Sequence, residues 1–165
     1  MNSSLQDELQ STNDEQLRTF FGTQVGYYLD VTQDLRDGIH RYNMWAFFLG
    51  ILWILYRKMY AVFFITVLLI ILEQQVEDWL FPALANNSTW NTVFNLGVAS
   101  TIGFLGNRLY IRHALGKIEA VRALNLDEEQ TQAELRRQGG TSWAGPLIFL
   151  GFLAVVLYLA LAAGE

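Results

Sequence analysis

The sequence predicts an all-α integral membrane protein with three transmembrane helices, an aromatic interfacial or re-entrant segment and cytoplasmic amphipathic helices. Three observations carry this expectation. Hydrophobic residues make up 52% of the 165 positions and are concentrated after residue 44. They come as unbroken runs and not at the periodicity of a half-buried strand or soluble helix. Once three spans are drawn, all eleven Lys and Arg residues fall on one side of the bilayer.

Residues 1–43 are polar and acid-rich, with no basic stretch and apolar core near Met1, so a cleaved signal peptide is not expected and the N-terminus is placed in the cytoplasm. Leu5, Leu9 and Leu17, then Phe20, Phe21, Val25 and Tyr28, recur at spacings near three and four, which predicts two short amphipathic helices meeting near Gly22. Asp37-Gly38 reads as a turn.

Residues 44–58 form the aromatic interfacial segment. From Met44 to Tyr56 a helix reaches only about 20 Å, short of a hydrocarbon core of roughly 30 Å. Running it on as one span would bury Arg57 and Lys58 near mid-bilayer, at roughly 2.5–3.5 kcal/mol each. The chain is therefore divided there. Trp45, Phe47, Phe48, Trp53 and Tyr56 give the segment the aromatic density of the membrane interface.

Residues 59–163 hold the three-span domain. The first span runs from Met59 to about Leu80 and ends at Phe81-Pro82, because proline disfavours helix at the residue before it. Ala83 to Asn91 reads as a loop. The second span is Thr92 to Ile111, with Trp90 and Tyr110 as its aromatic belts. A cytoplasmic helical loop, 112–142, follows. In it Asp127 to Gln130 fits a capping box and Gly139-Gly140 stops the helix. The third span opens at Thr141-Ser142, Trp143 and Pro146 and runs to about Ala163.

The basic residues orient this arrangement. The loop from Glu73 to Asn91 carries no Lys or Arg, and neither does the tail after Arg137. The positive-inside rule places the N-terminus and the 112–142 loop in the cytoplasm and the C-terminus outside.

Two basic clusters are candidate lipid or partner contacts. Trp53, Tyr56, Arg57, Lys58 and Tyr60 form the first, where cationic side chains flanked by aromatics suit anionic headgroups. Asn107, Arg108, Arg112 and His113 form the second, with Arg108 and Arg112 on one helix face. Ordinary interfacial anchoring is the alternative for both. Gly97, Ala99, Gly103 and Gly106 place small residues three and four apart along the second span, as close helix packing requires. Asn95 and Asn107 call for interhelical hydrogen bonds.

Catalytic signals are thin. Absence of Cys removes disulfides, thiolate metal sites and cysteine nucleophiles. The two histidines, His40 and His113, lack metal-ligand spacing, and the arginines around His113 are expected to depress its protonation. Glu73 and Glu77 share a face that could hold a divalent cation or simply end a helix in water. No phosphate loop or Ser-His-acid pattern is present. No catalytic residue, cofactor or metal is expected, and a net charge of −5 argues against nucleic acid.

The run Asn43-Met44-Trp45-Ala46-Phe47-Phe48-Leu49-Gly50, continued by Trp53-Ile54-Leu55-Tyr56-Arg57-Lys58-Met59-Tyr60, resembles the hallmark of a family of small bacterial inner-membrane proteins of unknown function that includes the YigF and YigG proteins. Tyr27-Tyr28-Leu29, the stretch from Gly106 to His113, and Gly139-Gly140-Thr141-Ser142 extend the resemblance over about residues 20 to 145. It departs at Met44 and Trp45, where that family usually has Trp and Ala. The resemblance implies a bacterial inner membrane and brings no activity with it. The expected role is a non-enzymatic interaction protein or accessory subunit, partnered by membrane lipids and by other membrane subunits or itself. The alternative is a phospholipid-binding or transport-related protein working through the basic clusters.

Overall fold

A computed structural model describes residues 3–82 and 87–164, which are helical with no strand among them. Among the described residues nine α-helices follow in chain order: α1 (Ser3–Ser11), α2 (Asp14–Phe21), α3 (Val25–Arg36), α4 (Met44–Leu49), α5 (Ile51–Tyr56), α6 (Tyr60–Leu80), α7 (Ser88–Arg122), α8 (Glu128–Gln138) and α9 (Ala144–Ala163). Residues 83–86 of the expected loop lie outside the described residues.

The N-terminal region holds three helices where two were expected. The additional break falls at Asn13, whose side chain accepts from Glu15 N–H at 2.9 Å and so starts a new helix. Gly22, at φ 58°, then ends α2, and a 3₁₀ turn over Gly22–Gln24 leads into α3. These helices pack on the second half of α7 and on α8. Their common core holds Leu9, Leu17, Phe20, Phe21, Tyr28, Val31, Tyr110, Ile111, Ile118, Val121 and Leu135, all essentially inaccessible.

Residues 44–58 form an elbow. Asn43 caps α4 by accepting from Ala46 N–H at 2.8 Å, and Gly50 at φ 51° turns the chain into α5. One face of the elbow is buried through Ala46, Trp53, Ile54 and Leu55, while Trp45 and Phe48 stay exposed. Arg57 and Lys58 end α5, Lys58 taking the left-handed φ of 57° that turns the chain into α6.

Two helices, α6 and α9, are long and apolar enough to cross a membrane, and almost none of either is buried within the protein. The second half of the chain differs from expectation in α7, which is one unbroken helix of 35 residues. It starts at Ser88, not Thr92, because the Asn87 side chain accepts from Trp90 N–H at 3.0 Å. It also continues past Ile111 without a joint. Its first half exposes Val93, Leu96 and Phe104, whereas its second half buries Ile111, Ala114, Ile118 and Val121 in the helical core. Asp127 caps α8 as expected, accepting from Gln130 N–H at 2.8 Å.

Candidate functional site

Arg57 is the most deeply buried cation of the described residues, with 4% of its surface exposed. The α5 terminus and the turn into α6 push it inward beneath α3 and α7. Its guanidinium carbon lies 4.6 Å from the ring centre of Tyr28 and 4.9 Å from that of Tyr110, with Tyr56 at 5.7 Å and Trp53 at 6.0 Å. Nη2 donates to Gln24 Oε1. Nε and Nη1 are buried with no hydrogen-bond partner among the described residues. The ion pairs among the described residues, Arg36 with Asp14, Arg41 with Asp34 and Arg137 with Glu134, leave Arg57 without a carboxylate.

Burying an unpaired cation costs several kcal/mol, and cation–π contacts of roughly 0.5–2 kcal/mol offset only part of that. Arg57 lines a cavity of about 470 Å³. Its lining combines polar side chains (Gln24, Tyr27, Tyr28, Asn43 and Arg57) with apolar and aromatic ones (Trp45, Leu49, Leu52, Trp53, Tyr56, Trp143, Pro146 and Leu150). Tyr56 and Trp143 pack at 4.9 Å between ring centres, and Ser142 N–H donates to Tyr56 O at 2.9 Å, so the start of α9 forms one wall. Burial pushes the Tyr28 phenol above its usual pKa despite the nearby guanidinium, so it stays neutral and supplies no counter-charge. The cavity is thus amphiphilic, its lining combining a desolvated cation with apolar side chains.

The other candidate residues are distributed as follows. Trp53 is a core residue touching Gly106, and Tyr60 is exposed. Lys58 Nζ donates to Arg137 O at 3.1 Å and Gly139 O at 2.6 Å, tying the end of α8 to the α5–α6 turn. Of the second cluster, Asn107 joins a buried polar knot with Tyr27, Arg41 and Asn43. Arg112 is exposed, Arg108 is half-buried, and neither lines the cavity. His113 packs on Phe20 with ring centres 6.4 Å apart. Its pKa is lowered to about 4 by burial first and by Lys117 second, so the cause is not the arginines expected from the sequence.

The small residues divide by use. A Cβ on Gly106 would lie 2.9 Å from Ala46 Cβ, and one on Gly103 would meet the Tyr42 ring at 2.5 Å, so these glycines let α4 approach α7. A Cβ on Gly97 would meet nothing within 4 Å, and the residue lines a cleft of about 710 Å³ between α6 and α7. Ala99 is half-buried. Glu73 and Glu77 border a polar groove with Asn91 and Asn95, and no cluster of three metal-ligating side chains occurs among the described residues.

Sequence reasoning missed Gln24, Asn43 and Trp143 as parts of one site and took Tyr110 only for a belt residue. Tyr27-Tyr28 was visible as an aromatic block. Nothing in its spacing shows that it meets Arg57.

A family profile described as "Protein of unknown function (DUF2628)" matches residues 30–115. It takes in α3 from Asp30, the α4–α5 elbow, α6 and α7 to Leu115, and so includes Arg57, Tyr110 and the Asn43–Asn107 pair. The match carries no link to the YigF and YigG proteins or to a bacterial inner membrane. No curated protein and no solved structure matches the chain.

Proposed function

Starting from the fact that the chain belongs to the DUF2628 family, whose function is unknown, we propose that it is a three-span protein of a bacterial inner membrane that works by binding lipid, not by catalysis. The amphiphilic cavity beside Arg57 carries this reading, because a cation and apolar walls in one cavity match a lipid headgroup and the start of its chains. The exposed apolar surfaces of α6 and α9 support two spans. The third in this reading is the first half of α7, which exposes Val93, Leu96 and Phe104, and the positive-inside rule puts the charged helices on the cytoplasmic side.

The absence of Cys makes the topology directly testable. Thr89→Cys should react with a membrane-impermeant maleimide in intact cells, and Gln132→Cys only after lysis. Labelling of both positions from one side would overturn the three-span reading. Lipid binding is read by native mass spectrometry of the full chain extracted in mild detergent. A chain that emerges free of lipid would count against the cavity's assignment.

One observation favours a second role, as an accessory subunit or self-associating protein. Gly97 faces an open cleft between α6 and α7, where a further membrane helix could pack closely. Mass determination in mild detergent tests it, and a monomer with no co-purifying subunit would count against it.

A further inference from the structure

Resting on the lipid-binding reading, we infer that the Arg57 cavity selects a mono-anionic phosphodiester headgroup and that Arg57 is the residue that reads its charge. The cavity supplies one formal positive charge. Lys58 is committed to the carbonyls at the end of α8, and Arg108 and Arg112 do not line the cavity. The other polar groups there, Gln24, Tyr27, Tyr28 and Asn43, are neutral hydrogen-bonding groups. A zwitterionic headgroup would bring its own cation toward a desolvated guanidinium. A phosphomonoester dianion would leave one negative charge uncompensated in a low-dielectric site. A single negative charge completes the balance, and phosphate oxygens are good acceptors for the guanidinium that lines the cavity.

The same phosphodiester could arrive as a soluble glycerophosphodiester, but the wall argues for a lipid. Pro146 and Leu150 belong to α9, whose exposed apolar surface continues from the cavity through Leu153 and Leu157. Trp45 and Trp143 flank the cavity at 72% and 65% exposure, as tryptophans at a membrane interface do.

The test equilibrates the detergent-purified full chain with equimolar phosphatidylglycerol and phosphatidylcholine and measures bound lipid by native mass spectrometry. Phosphatidylglycerol should be preferred about tenfold or more, the scale of a charge-assisted hydrogen bond. Arg57→Gln should bring the ratio close to one while lipid is still retained. Leu49→Trp, which fills space in the cavity with an apolar side chain and leaves Arg57 in place, should reduce binding of both lipids, and it serves as the second variant should Arg57→Gln fail to fold. Equal binding of the two lipids by the unaltered chain overturns the charge selection and leaves the lipid-binding reading standing. Absence of any bound lipid overturns both. Phosphatidic acid displacing phosphatidylglycerol would contradict the single-charge balance. Glycerophosphoglycerol competing as well as the intact lipid would contradict the membrane source.

Discussion

Asn43 Nδ2 donates to Asn107 Oδ1 at 2.8 Å, joining the cap of α4 to the middle of α7. Both residues spend nearly all their capacity nearby. Asn43 Oδ1 holds Ala46 N–H and its backbone N–H donates to Gly103 O, each at 2.8 Å, while Asn107 Nδ2 donates to Arg41 O at 3.0 Å and Tyr27 Oη at 2.9 Å. Truncating either residue leaves the other with unmade buried hydrogen bonds. Asn107→Ala and Asn43→Ala should each cost about 1–3 kcal/mol in thermal unfolding in detergent. The double variant should cost clearly less than their sum, and strict additivity would show that the pair is not coupled.

The glycines predict a graded series. A Cβ on Gly139 would lie 2.1 Å from Phe20 O, a backbone atom that also accepts from Gly140 N–H at 2.7 Å. Gly139→Ala should therefore be the most damaging, separating α2 from the end of α8. Gly106→Ala forces Ala46 away and should cost on the order of 1–3 kcal/mol, as overpacking does. Gly97→Ala meets open space and should leave stability unchanged or slightly raised by the better helix propensity of alanine. Melting temperatures of the three variants check the order.

His113 gives the helical core a pH dependence. Its folded pKa is near 4, against about 6.5 for an unfolded histidine. Between those values the unfolded chain binds the proton and the folded chain does not. The contribution is present in full above about pH 6.5 and is lost as pH falls through 4. His113→Gln should flatten that part of the stability–pH curve, which thermal melts across the window would show.

Lys58→Ala removes both hydrogen bonds to the α8 terminus and the favourable placement of a cation there. It should cost about 1 kcal/mol and raise amide exchange first at Gly139 and Gly140. An unchanged exchange pattern would mean that α8 holds its end without Lys58.

Features governed by neighbours in sequence were legible. The break at Arg57-Lys58, the end of α6 before Pro82 and the Asp127 cap each follow from a residue acting within a few positions of itself. The continuity of α7 was not, because the helical period carries no mark where the surroundings change from apolar contacts to the helical core. The spacing around Ile111 reads the same in both. The role of residues 44–58 was half legible. Their length argued against a span, but their aromatics occur on both faces, and close approach to Gly103 and Gly106 in α7 goes with the face that is buried. Arg57 looked like an interfacial anchor since its burial depends on Tyr28 from α3 and Tyr110 from α7, which no local pattern brings to it.

The uninterrupted α7 has a geometric consequence. At 35 residues it is about 50 Å long, well beyond the roughly 30 Å of a hydrocarbon core. It has no joint along its length. Trp90 near its start is joined by continuous helix to Tyr110, one of the rings around Arg57, and beyond it to Ile118 in the helical core.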